Sequence, residues 1–352
     1  MSNAPTPSST TPSSSSAAQP SVLGRLVRIV LKWGVPLLLI GWLVLSGKLD
    51  FRALVRVFSD PRLLALDVVF WALGSIVIAG VRWKLLLRGL GFELGLLRAM
   101  HYQCIALFMN TAVPGNVAGD VYKNILAARH IEGLTLTRTL TCVMVERVLG
   151  LGALLVLSGV AVSLKFSVIY ARAPALVAFV YLLNAGLVVG VSLALLAARY
   201  SARRKSTQST GPSTEAAVPS GLVGKVRARV AEVGEALLAY ASRPLTFAAA
   251  FGLSALMHGL FIALFFVLAR NVTALDLSAI EVGVIYPLGM LTGILPLAPG
   301  GIGVGHAAFA SLFQLFGATR GADAFNVFLL GQLAPNLLGV VPYLADGGRR
   351  EK

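Results

Sequence analysis

Apolar residues fill long uninterrupted stretches of this chain, and polar residues collect in short segments between them. The runs at about 33–45, 63–81, 134–164, 174–198, 245–269 and 325–344 each predict a membrane helix, and those from 63 onward have by themselves the length, about 20 residues at 1.5 Å rise, that covers ~30 Å of hydrocarbon. Two further apolar regions are interrupted. Residues 99–113 lead into Pro114-Gly115-Asn116-Val117-Ala118-Gly119-Asp120, and a helical run over 121–128 follows. Residues 282–295 lead into Pro296-Leu297-Ala298-Pro299-Gly300-Gly301-Ile302-Gly303-Val304-Gly305-His306, and 307–316 is apolar again.

Proline and clustered glycine forbid one continuous helix through either interruption. Each flank is also too short to cross a bilayer alone. The form expected is a helix that enters the membrane, breaks and returns as a second half-helix. Irregular backbone at that depth survives only where protein or a wet cavity satisfies it. The free N–H groups at the start of a returning half-helix suit an anion. Pro114-Gly115 aligns with Pro299-Gly300, so the figure occurs once in each half of the chain. Paired interruptions of this kind point to a midplane site in transporters; two kinked helices that merely lie close together would leave the same pattern.

Composition agrees. The 352 residues are 57% hydrophobic and 13% charged, against about a quarter charged in soluble proteins. Cys104 and Cys142 fall in apolar segments and match no metal spacing, and the four histidines never occur at i,i+3 or i,i+4. No cofactor is expected. The net charge of +15 sits at membrane ends, where it meets anionic lipid rather than nucleic acid. With the N-terminus inside, twenty-one of the thirty Lys and Arg fall on the inner side, eight outside and Arg147 within the membrane, so the positive-inside rule gives N-in and C-in.

The expectation is an all-α polytopic integral membrane protein of about six spanning helices plus two inverted re-entrant broken-helix hairpins, or about eight crossings. Residues 1–21 read as a disordered Ser/Thr/Pro-rich tail and 48–62 as a short interfacial helix. The transmembrane domain takes 22–346, with repeat halves at about 63–165 and 245–345. A basic cytoplasmic loop takes 199–243, with a surface helix over 222–238, and a basic tail takes 347–352.

Charges inside such spans are costly and normally pair or face a cavity. Glu146 and Arg147 lie two to three turns into their helix and point about 100° apart, so they need not pair with each other. Asp120 reads as an N-cap, or as a partner of Lys123 or Arg147 that holds a cation for a lipid phosphate. His258 reads as a hydrogen-bonded histidine between helices or as a proton relay. His306, near a half-helix start, reads as a donor to an anion. Gln332 and Asn336 share a face beside Pro335 and are expected to satisfy that kink.

Asn110, Pro114-Gly115, Gly119-Asp120, Glu146-Arg147 and Pro296-x-x-Pro299-Gly300-Gly301-x-Gly303 together resemble the lysylphosphatidylglycerol synthase transmembrane family, the flippase-like domain. The resemblance covers roughly 30–346. Where that family often has an acidic residue after the last glycine, this chain has Gly305-His306. No stretch is expected to fold as the soluble aminoacyl-transferase domain of full-length synthases. The resemblance implies the lipid-handling membrane half, not the synthase, and no catalytic constellation is evident among the residues. The headgroup-binding set expected is Asn110, Pro114, Gly115, Gly119, Asp120, Lys123, Glu146, Arg147, Pro299, Gly300, Gly301, Gly303 and His306. The function expected is binding and translocation of an anionic phospholipid or lipid-linked intermediate in the plasma (inner) membrane. The alternatives are a membrane-embedded lipid transferase with Glu146 or His258 as base, and an anchor whose 199–243 loop holds a cytoplasmic enzyme partner.

Overall fold

The computed structural model describes residues 55, 58–112, 118–208, 238–240, 242–272, 276–292 and 304–348. Both Pro-Gly turns, with Pro114, Gly115, Pro299, Gly300, Gly301 and Gly303, lie outside the described residues. So do the two tails, the 33–45 run, most of the 48–62 segment and nearly all of the 222–238 helix.

Among the described residues every regular element is a helix. The first span starts where Asp60 accepts the Arg62 N–H at 2.8 Å, with Pro61 opening the helix. It runs through α1 (Pro61–Trp71), a π-helical stretch (Ala72–Ile78) and α2 (Ala79–Gly89) as 29 continuous residues. That is about 43 Å at 1.5 Å per residue. The 63–81 run therefore ends eight residues before its helix does, because Arg, Trp, Lys and Leu continue a helix without penalty. Arg82 is thereby inside the bundle rather than in a loop.

Helix α3 (Leu96–Ala112) is followed by α4 (Ala118–His130), and α5 (Leu136–Leu164) is a span capped by the Thr135 side chain. A short α6 (Phe166–Arg172) leads to α7 (Pro174–Gln208). Helix α7 extends ten residues past the predicted span, through an Ala/Arg/Lys/Ser stretch without Gly or Pro. Span α8 (Pro244–Val272) precedes the short apolar pair α9 (Ala279–Leu291) and α10 (Val304–Leu315). Helices α11 (Gly321–Gly331), α12 (Leu333–Leu338) and α13 (Val340–Gly348) make a last span that bends at Gln332. Five helical stretches among the described residues are long and apolar enough to cross a membrane. The protein is an all-α polytopic membrane protein.

The short helices form two antiparallel pairs. Helix α4 returns along α3: Gly119 lies on Ala106, Lys123 meets Gln103, and the His130 ring is 6.1 Å from that of Tyr102. This pair has its open end at the N-terminal end of α5, where Leu94 and Leu134 share one buried cluster and Arg138 lies over Phe92. The second pair has its open end at the other end of α5. There Lys165 pairs with Glu281 at 3.0 Å in the first turn of α9, and Arg172 donates to the Leu315 carbonyl at 2.6 Å at the end of α10. Helix α5 thus runs between the mouths of two oppositely directed pairs.

Candidate functional site

Helix α5 carries Glu146 and Arg147 on different faces. Glu146 turns into the bundle, 5% exposed, with Oε2 2.9 Å from Lys123 Nζ in an ion pair off hydrogen-bond alignment. Its Oε1 accepts from Arg82 of α2 at 3.5 Å. Arg82 also donates to Ser254 Oγ of α8 at 2.9 Å. Lys123, 1% exposed, donates to Gln103 Oε1 at 3.1 Å and lies 5.1 Å over the Trp83 ring. It stands 3.7 Å from Asp120 Oδ1, while Asp120 Oδ2 accepts from Arg147 at 2.6 Å.

These groups form one chain of alternating sign: Arg82, Glu146, Lys123, Asp120, Arg147. Alternation is what makes five charges tolerable in a dry bundle, because each is desolvated next to its counter-charge. Exposure rises along the chain. Arg82, Glu146 and Lys123 are buried, Asp120 is partly covered, and the Arg147 side chain is 44% exposed. The ladder therefore reaches the edge of the bundle at a guanidinium, whose planar fork of donors matches phosphate oxygens.

Local sequence explains why α4 presents these side chains here. Asn110, near the end of α3, accepts the Gly119 N–H at 2.8 Å and so caps α4 from the neighbouring helix. A Cβ on Gly119 would overlap the Ala106 carbonyl oxygen, so only glycine allows α4 to lie this close. Asn124 bonds both the Asp120 carbonyl, at 2.8 Å, and Trp83 Nε1, at 3.3 Å, tying the first turn of α4 to α2.

A family model for the lysylphosphatidylglycerol synthase transmembrane region matches residues 26–341. The chain belongs to that family. A UPF0104 membrane protein of Pyrococcus horikoshii is 24% identical over 307 residues, covering 82% of this chain and 88% of that protein. No solved structure matches.

Of the residues singled out from sequence, the structure brings together Asn110, Gly119, Asp120, Lys123, Glu146 and Arg147. Asp120 is not an N-cap: it lies in the first turn of α4, its carboxylate is engaged by Arg147 and Lys123, and Asn110 does the capping. His306 is placed elsewhere, buried on α10, in a hydrogen bond with Asn326 of α11 and edge-on to Phe325. His258 is half-buried on α8 with its ring beside the Gly150 backbone of α5, a placement that fits a histidine packed between helices. Asn336 does not serve the kink alone: its Nδ2 donates to Thr111 Oγ1 at 3.0 Å, joining α12 to the end of α3. Arg82, Gln103 and Ser254 were not legible as members of the site. Arg82 was the one with a signal, namely a helix-forming stretch continuing past the apolar run. Among the described residues no group of three metal-ligating side chains comes together.

Proposed function

We propose that the protein receives the anionic headgroup of a membrane lipid at the Asp120–Arg147 end of the charge ladder and carries it between leaflets, the acyl chains staying in the bilayer. The ladder itself carries this reading: intramembrane charge is expensive and is kept where it handles ions or charged substrates, and this ladder ends in a half-exposed guanidinium. A phosphate arriving there would take Asp120's place on Arg147, while Asp120 keeps Lys123. Such an exchange preserves charge pairing throughout and so needs no bare charge in hydrocarbon. Membership of a lipid-linked membrane family supports the substrate class. The opposite directions of the two short pairs support an inverted, re-entrant arrangement about a midplane site. The excess of Lys and Arg on the N-terminal side supports N-in and C-in placement in a plasma (inner) membrane.

The test is reconstitution in liposomes with fluorescent anionic and zwitterionic lipids. In Arg147→Leu, Asp120 keeps Lys123 at 3.7 Å, so no buried charge is left unpaired and the variant should fold. It should lose translocation of the anionic lipid. A folded Arg147→Leu protein that moves anionic lipid at the wild-type rate would refute the site.

A further inference from the structure

The charge ladder does not include the most deeply buried carboxylate among the described residues. Asp67 sits on the second turn of α1 within the first span, 0% exposed, and neither carboxylate oxygen is in a hydrogen bond of normal geometry among the described residues. One turn on, the buried Trp71 indole N–H is the polar group that approaches the carboxyl, outside normal hydrogen-bond geometry. The carboxyl group presses on α11: a Cβ at Gly331 would overlap Asp67 Oδ1 and stand 2.9 Å from its Cγ. Gly331 is the residue four before Pro335, which has no N–H, so the Gly331 carbonyl lacks its ordinary helix donor. The span also turns π-helical at Ala72, directly after this residue pair, and such stretches recur at functional sites.

The charged and titratable groups on the elements that touch α1 do not pair with Asp67. On α8, Arg270 pairs with Asp276 at 2.7 Å and His258 lies beside Gly150 of α5; on α11, Asp323 pairs with Arg320 at 2.9 Å; α12 and the π-helical stretch carry no titratable group. On α1 itself Arg62 is exposed at the first turn. A bare carboxylate so placed would be desolvated with only the neutral Trp71 N–H, and no cation, in return. The neutral acid, in contrast, has an O–H to donate, and the Gly331 carbonyl, which Pro335 cannot serve, lies on the facing helix.

We propose that Asp67 is a proton-binding site, holding its proton against the Gly331 stretch while α1 and the α11–α12 bend are closed. Losing the proton parts the two elements, because the carboxylate then needs water. Resting on the translocation reading above, this makes protons the ligand that drives lipid movement. The proton leaves Asp67 for water on one face and is replaced from the other, so each cycle is balanced.

Two measurements separate the proposals. Infrared difference spectra of the purified protein in liposomes, taken across a pH step, should show a neutral carboxyl band that Asp67→Asn deletes. If Asp67→Asn does not fold, Gly331→Ala takes its place: its methyl must displace the carboxyl group and shift that band. Identical spectra in wild type and variant overturn the proton site whatever the transport result. In the second arm a pH gradient is imposed on liposomes with fluorescent anionic lipid. Coupling of one proton per lipid lets each pH unit shift the leaflet ratio about tenfold, and Asp67→Asn should show no shift. Translocation that ignores the gradient in wild type overturns the coupling. Absence of translocation in wild type, with the carboxyl band present, removes the lipid reading and leaves the proton site standing.

Discussion

Replacing Glu146 by Gln keeps side-chain size and removes the one negative charge between Lys123 and Arg82. Lys123 retains Asp120 at 3.7 Å and Gln103 at 3.1 Å. Arg82 is left with the neutral Ser254 hydroxyl at 2.9 Å, since Glu146 is the anion it meets among the described residues. A guanidinium 9% exposed is then stranded in the bundle. Breaking a buried pair from one side costs about 3–5 kcal/mol, which is two to almost four powers of ten in the folded-to-unfolded ratio. The assay is unfolding in mixed micelles, followed by helical circular dichroism, for wild type, Glu146→Gln, Arg82→Met and the double variant. The double variant should lose much less than the sum of the singles, because neither charge is then left alone. Asp323→Asn is the reference, an ion pair at 2.9 Å that is about one-third exposed, and should cost under about 1 kcal/mol. A Glu146→Gln protein within about 1 kcal/mol of wild type would show that Glu146 and Arg82 are solvated, and the account of a dry ladder would fall.

Gly119→Ala should not yield monodisperse protein, because its methyl overlaps the Ala106 carbonyl oxygen; size-exclusion chromatography reads this, and a normal elution profile would contradict the close approach of α4 to α3. Burial pushes the Glu281 carboxyl up, but the Ser278 backbone N–H and Lys165 outweigh it and hold Glu281 below its ordinary value of 4.5. A depressed carboxylate contributes stability that is fully present above 4.5 and is lost as pH falls further, so Glu281→Gln should be less stable than wild type at neutral pH and should converge with it at low pH; unfolding midpoints across a pH series read this, and a constant difference at every pH would contradict it.

Span positions were legible because hydrophobic length is a bulk property that single residues do not disturb. The charged members on α4 and α5 were legible for the opposite reason, since Asp120, Lys123, Glu146 and Arg147 interrupt apolar surroundings. Who pairs with whom was not legible: it depends on α2 and α4 crossing α5 at particular heights, and on Gly119 letting α4 approach. Arg82 read as a flank because hydropathy ends at 81, while helix geometry continues to Gly89. Asp67 lies near the start of the 63–81 apolar run, where a single carboxylate looks like an interfacial residue. Its complete burial and its contact with Gly331 belong to the packing of α1 on α11, which the sequence does not display.

The opposite directions of the two short pairs bear most on mechanism, and they can be tested without disturbing either. Helices α3 and α4 are 17 and 13 residues long, and α9 and α10 are 13 and 12. At 1.5 Å per residue each falls short of ~30 Å of hydrocarbon. Exposed Glu132 follows the first pair, at the α5 N-terminal end, and exposed Thr319 follows the second, near the Arg172–Leu315 contact. Because α5 is long enough to cross, those two positions should face opposite sides of the membrane. After Cys104 and Cys142 are replaced by Ala, single cysteines at 132 and 319 should separate them. A membrane-impermeant thiol reagent added to intact cells should label position 319 and spare 132, and inside-out vesicles should reverse the preference. Labelling of both from one side would place both mouths on one face, and the inverted arrangement would have to be abandoned.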